Sequence, residues 1–352
     1  MPHAYLKTLN PEYEVDQIQG AKYEDVFSVA DDKLKEYNIA ILSREINAQG
    51  SGVEIIKRLQ SLGINVVLDI DDYWQLPSSH KLKKAYELLQ IPDMVMQNIR
   101  WADAVTTTNE VLAKHIKMYN DNVVVLPNCI DKNQPQFKAE HIPSNITRIG
   151  WVGGVYHRQD IEPMERSFKK LWKSKLSFQL CVGGFNPNNE YKAIESIFTS
   201  DYKYMDYDYR TYLKEFSPLL SHLSNNKPYK RLWAKSAFEY VSMYNELDVV
   251  LIPLKDNGFN NCKSELKVLE AAAMGKAVIV SDVYPYNQIC NKYNSILIKG
   301  DNPHKEWFEA MKYLIENPNK AHQLSAQLTH DCNERFNIDT ITNKRKELYL
   351  SL

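Results

Sequence analysis

Short β-branched runs that alternate with amphipathic stretches predict an α/β protein built from parallel sheets with helices on both faces. Two further observations divide it in two. The 352 residues suit two cores of roughly 150 residues each. The stretch KNQPQFKAEHIPSNI is polar, holds two prolines and lacks periodicity, which marks a connection. The expected organisation is a first Rossmann-like unit over 1–136, a linker over 137–146 and a second unit over 147–330. An insertion is expected at 185–240, and a final helix over 331–352 is expected to pack back towards the first unit.

In the first unit YNIAILSR reads as a strand and GVEIIKRLQSLG as a helix closed by Gly63. INVVLDIDD reads as a strand, NEVLAKHIKMY as a helix and NVVVLPN as a strand. In the second, TRIGWVG, LSFQLCVGG, LDVVLIPL, KAVIVSD and NSILIKG read as strands. A helical tail runs from HKEWFEAMKYLIENP through ITNKRKELYLSL. Between Phe185 and Tyr240 the rhythm breaks, and Tyr191, Tyr202, Tyr204, Tyr207, Tyr209 and Tyr212 crowd together. A helical lobe packed by its aromatic rings accounts for this, and a sugar-stacking or partner surface is the alternative.

The chain holds 43 Lys+Arg against 44 Asp+Glu, which leaves no basic footprint for nucleic acid. Its five cysteines are scattered and form no C-x-x-C, so reduced thiols are expected rather than disulfides or zinc. With no apolar leader and no run near the roughly 18 apolar residues of a membrane span, the expected location is cytoplasmic. HKLKKAYELL, His80 to Leu89, is basic and amphipathic. It reads as a solvated helix face or as a peripheral contact with the inner face of an anionic membrane.

The stretch NNCKSELKVLEAAAMGKAVIVSD places charge at the start of a helix. Ser264 is a suitable N-cap, Glu265 falls in the first turn, and the unpaired N–H groups of that turn make an anion site. Lys263 and Lys267 lie within reach of the same helix end. Glu270, three residues after Lys267, stands behind it at a distance suited to the two hydroxyls of a ribose. The stretch thus reads as a nucleotide clamp, against the alternative of an ordinary capped and salt-bridged surface helix.

KSELKVLEAAAMGKAVIVSD resembles the donor-binding motif of GT-B glycosyltransferases of group 1 type, especially the retaining GT4-like group. The resemblance extends to RIGWVGGVYHRQD, to ADAVTTTNEVLAKHI followed by VVVLPNCID, and to LDVVLIPLKDNGFNNCKS, and covers most of residues 38–300. It implies two Rossmann-like domains facing a cleft. It also implies transfer from a nucleotide-diphosphate sugar to a hydroxyl of a glycan or lipid-linked glycan, with retention and without cofactor or metal. By resemblance, Gly153 and Gly154 approach the donor diphosphate, Arg158 neutralises it, and Glu270 holds the ribose. Lys263, Ser264 and Lys267 join them at the phosphates.

Two departures stand out. The family's first glutamate, eight positions before Glu270, is here Cys262, and Pro163 stands where a lysine usually follows Arg158. A nucleotide-sugar 2-epimerase and a catalytically silent glycan- or partner-binding protein are the alternatives on this fold. No G-x-G-x-x-G follows a strand, which disfavours a nicotinamide oxidoreductase.

LDIDDYWQLPSSH carries Asp69, Asp71 and Asp72 at a strand end. The D-x-D spacing is that of a metal site in the different GT-A fold, but a helix-based phosphate site leaves no need for a metal. Asp71 and Asp72 are instead expected to hold an acceptor hydroxyl or act as base, or else to cap the following turn. His157 and Asp160 are three apart and share a face if a helix has begun there, with His157 a donor to the diphosphate or sugar. Arg44 and the loop from Asn47 to Gly52 are acceptor-side candidates by position.

Overall fold

The computed structural model describes residues 2–16, 29–44, 46, 52–140, 142, 144–186, 189–200, 228–299 and 303–352. They form two compact units. The first gathers Met1–Cys129, Asn257–Ser264 and Phe336–Leu352, and the second gathers Ile130–Asp256 and Glu265–Arg335.

The first unit runs α1 (Pro2–Leu9), β1 (Ile39–Ser43), α2 (Gly52–Ser61), β2 (Asn65–Ile70), α3 (Ile91–Trp101), β3 (Ala104–Thr107), α4 (Glu110–Ile116) and β4 (Val123–Val125). The strands lie parallel in the order β1-β2-β3-β4. After α2, Gly63 takes φ +80°, a conformation that costs glycine nothing and ends the helix as expected. Alternation along β2 and β3 divides the core. Leu68, Ile70 and Val105 join Trp74, Val95, Ile99 and Leu112 on one face. Val67 and Ala104 meet Leu6, Leu348 and Tyr349 on the other. Leu348 and Tyr349 belong to the C-terminal helix Ile338–Ser351, whose end is tied to the sheet by the Asn65 amide donating to the Leu352 carbonyl at 2.9 Å. The last seventeen residues are therefore part of the first unit's core.

Segment 257–264 belongs there too. The Asn109 side chain caps α4 by accepting from the Leu112 N–H at 2.8 Å. Its amide donates to the carbonyls of Cys262 at 2.8 Å and Lys263 at 3.0 Å. Cys262 is fully buried in the cluster around Trp74.

The second unit runs β5 (Thr147–Val152), α5 (Glu165–Lys173), β6 (Phe178–Phe185), α6 (Asn189–Thr199), β7 (Tyr229–Trp233), β8 (Val249–Ile252), α7 (Leu266–Ala273), β9 (Ala277–Ser281), β10 (Ile296–Ile298), α8 (Pro303–Glu316) and α9 (Pro318–Arg335). Its parallel sheet has the order β10-β9-β8-β5-β6-β7. The chain adds strands outward from β5 on one side and then from β8 on the other. The carboxyl ends of β5 and β8 therefore form a topological switch point, where open α/β sheets bind ligands.

The expected insertion is partly ordinary fold. β7 is the edge strand of the sheet, and α6 buries Tyr191, Ile194 and Phe198 in the main core. Tyr202, Tyr204, Tyr207, Tyr209 and Tyr212 lie outside the described residues, as do Asn47 to Ser51. The tail expected as one helix over 331–352 is two, divided after Arg335, and the second is capped by the Asn337 side chain accepting from the Thr340 N–H at 3.0 Å. Among the described residues, no helix is long and apolar enough to cross a membrane. In the basic stretch from His80 only Lys83–Leu88 is helical, with Leu88 and Leu89 exposed.

Candidate active site

The second unit brings several of the expected residues to the end of β5. Gly153 follows Val152 directly, and its N–H donates to the Gly183 carbonyl at 3.2 Å. A Cβ on Gly153 would stand 2.4 Å from the Trp151 ring and 3.0 Å from Lys267 Nζ, so a side chain here would displace the ring and crowd the lysine. A Cβ on Gly154 would meet nothing within 4 Å, and that position opens onto free space. Lys267 Nζ donates to the Val152 carbonyl at 2.7 Å and stands 5.7 Å from the Trp151 ring centroid. An ammonium is thus fastened to the loop whose backbone faces the switch point.

Glu270, one turn along α7, is 3 % exposed. Its Oε1 accepts from the Tyr240 hydroxyl and its Oε2 from the Tyr244 hydroxyl at 2.9 Å. Burial raises the Glu270 carboxyl above its ordinary range, and the Tyr240 hydrogen bond, the Lys267 charge and the Tyr244 hydrogen bond oppose that rise. The two tyrosines were not anticipated as site residues. The only signal was their spacing of four in YVSMY, which many surface helices share.

His157 and Asp160 meet as expected, with Nδ1 3.1 Å from Asp160 Oδ2. Asp160 is buried, and its other oxygen accepts from the Lys255 N–H at 3.1 Å, beyond the end of β8. A carboxylate anchored this way fixes the ring and favours the tautomer with hydrogen on Nδ1, which makes Nε2 the acceptor. Arg158 follows the same loop and pairs along its own helix. Its Nε donates to Glu162 Oε1 at 2.9 Å in a half-exposed i,i+4 pair.

Ser264 corrects the expected cap. It accepts from the Asn128 amide at 2.8 Å, and α7 begins only at Leu266 with Glu265 at the N-cap position. Asn128 and Ser264 both belong to the first unit, so the serine hydroxyl is engaged before the helix starts. Lys263 also belongs to that unit, with Nζ 5.4 Å from the Phe259 ring centroid, whereas Lys267 and Glu270 belong to the second. Glu265 is buried, and its carboxyl is raised to about 6 by burial, against its own backbone N–H and the Arg335 charge. Cys262 offers no substitute for a glutamate. Its thiol is pushed up to about 12 by burial and donates to the Gly258 carbonyl at 3.3 Å.

In the first unit, Ser43, Arg44, Asp69 and Asp71 line an open pocket of about 260 Å³ at the carboxyl ends of β1 and β2. Asp69 accepts from the Thr106 hydroxyl at 2.5 Å. Arg44 donates to the Asp72 carbonyl at 3.0 Å, which fixes the turn, while the Asp71 and Asp72 side chains are exposed. Among the described residues, no three His, Cys, Asp or Glu side chains gather as a metal site requires.

Comparison with known proteins shows the family and the fold. Residues 132–330 match the family described as glycosyl transferases group 1, and the chain belongs to it. The fold is of the GT-B type, with two parallel α/β units. It is similar to sucrose-phosphate synthase from Thermosynechococcus elongatus, with a TM-score of 0.60 at 15% identity over 90% of this chain and 74% of that one. It is also similar to Anabaena HepE in complex with UDP-glucose, with a TM-score of 0.60 at 14% identity over 93% and 82% of the two chains. A glycosyltransferase from Rickettsia africae has a TM-score of 0.59 at 13% identity over 98% and 87%. At such identities these likenesses establish the fold alone. No curated protein sequence matches the chain.

Proposed function

We propose that this glycosyltransferase moves a sugar from a nucleotide-diphosphate donor to a hydroxyl of a glycan or lipid-linked glycan, with retention and without a metal, as in the GT4-like group. The observation that carries the reading is Lys267, held by the Val152 carbonyl against Gly153 at the switch point of the second sheet. There its fixed charge meets the negative charge that grows on a departing diphosphate, where preorganised groups act most strongly. Glu270, on the same helix, receives the ribose, and His157, fixed by Asp160, faces the phosphates or the transferred sugar. Asp71 and the pocket it lines serve the acceptor, with Asp72 beside it as the second candidate carboxylate. HepE, of the same fold, holds UDP-glucose, which supports a uridine donor as the first to try.

The test is incubation with UDP-glucose and other nucleotide sugars, each with and without a pool of glycan acceptors. Acceptor-dependent release of nucleoside diphosphate is expected. Conversion of the donor without any acceptor would favour the 2-epimerase, and no turnover despite donor binding would favour the silent binder.

A further inference from the structure

We propose that Tyr240 sets donor affinity by occupying the ribose place on Glu270, so that an incoming ribose hydroxyl displaces the tyrosine hydroxyl from the carboxylate. The proposal rests on the reading of Glu270 as the ribose-holding residue. A ribose offers two vicinal hydroxyls to the two oxygens of one carboxylate. Here two phenol hydroxyls already make that pattern, Tyr240 on Oε1 and Tyr244 on Oε2.

The two tyrosines differ in burial. Tyr244 is 1 % exposed, fixed in the interior of the unit. Tyr240 is only partly buried, so it is the one that stands between Glu270 and solvent. With Glu270 itself 3 % exposed and the Tyr240 hydroxyl on its Oε1, a ribose hydroxyl that takes Oε1 displaces that of Tyr240. Exchange also solves a problem that an empty site would have. A buried carboxylate needs donors at all times, and Tyr240 supplies one when the donor is absent, at the cost of competing when it is present. Tyr244 keeps its bond in both states and is a positioning residue.

Calorimetric titration of UDP, GDP and ADP into wild type and Tyr240→Phe tests this, beside Glu270→Gln and with melting temperatures as a fold control. Tyr240→Phe should bind the preferred nucleotide roughly tenfold more tightly, since one hydrogen bond to a charged group no longer competes. The gain should vanish with the 2′,3′-dideoxy form of that nucleotide, which has no hydroxyl to take the vacated oxygen. Weaker or unchanged binding in Tyr240→Phe, while Glu270→Gln weakens it, overturns the displacement and leaves the donor reading standing. Nucleotide affinity unchanged in Glu270→Gln overturns both. Tyr240→Leu serves as the second variant, and its gain should match that of phenylalanine.

Discussion

At the residue scale, the role proposed for Lys267 separates a functional cation from a decorative one. Its Nζ holds the Val152 carbonyl at the carboxyl end of β5, an interior strand of the sheet, so its loss removes one hydrogen bond from a charged group, worth about 1.5 to 3 kcal/mol. The same charge at a breaking glycosidic bond is worth about 100-fold or more in rate. Lys267→Ala should therefore lower kcat by at least about two decades while the protein still melts cooperatively, only several degrees lower, read by steady-state kinetics beside a thermal melt. The placement of Lys267 and Glu270 on one helix and of Gly153 after a strand was legible because a helix repeat and a strand end are local patterns. The tyrosines on Glu270 were not, since their bonds span 26 and 30 residues of chain. Nor was the fate of Ser264, whose partner Asn128 is 136 residues away.

Glu265 gives a pH signature. Burial raises its carboxyl from the ordinary 4.5 to about 6, so the folded state binds the proton more tightly than the unfolded state. That stabilisation is complete below about pH 4.5 and is lost as the pH rises through about 6. The difference amounts to roughly 2 kcal/mol. Glu265→Gln, neutral throughout, should melt a few degrees above wild type at pH 8 and close to it at pH 4.5. A pH series of melting curves reads this directly.

At the scale of elements, the glycine loop after β5 makes two unequal demands. A methyl at Gly153 collides with the Trp151 ring and presses on Lys267, whereas one at Gly154 meets nothing. Gly153→Ala should cost much of the activity and perceptible stability, while Gly154→Ala should fold as wild type. A combined activity and melting assay on the two variants distinguishes them. The strands that escaped the sequence have physical reasons to do so. β3 is only four residues, and its AVTT sits inside a polar-looking run. β7 reads YKRLW, whose charges look solvent-bound. In the fold, Lys230 pairs with Glu246 at 2.9 Å and Arg231 with Glu195, all inside the second unit. Pairing of its charges with distant residues thus conceals the strand.

At the scale of the whole molecule, the chain does not close each unit before starting the next. The C-terminal helix completes the first unit by covering Val67 and Ala104, and Leu348 and Leu6 together bury apolar surface worth about 2 kcal/mol each. Deleting residues 336–352 should therefore destabilise the first unit, seen as early proteolysis within 1–129, while the second unit retains its own core of Trp151, Phe168 and Trp307. The helical tail at the end of the chain was legible, since its periodicity is local. The membership of 257–264 in the first unit was not, because it depends on Asn109 and on the burial of Cys262.

The central claim is that a lysine fastened to the glycine loop receives a donor diphosphate with no metal between them. Titration calorimetry of UDP, GDP and ADP against wild type and Lys267→Ala, each in EDTA and in magnesium, measures it most directly. One nucleotide should bind wild type equally in both buffers and bind Lys267→Ala at least about tenfold more weakly. Binding that disappears in EDTA and returns with magnesium, or an affinity that Lys267→Ala leaves intact, would contradict it.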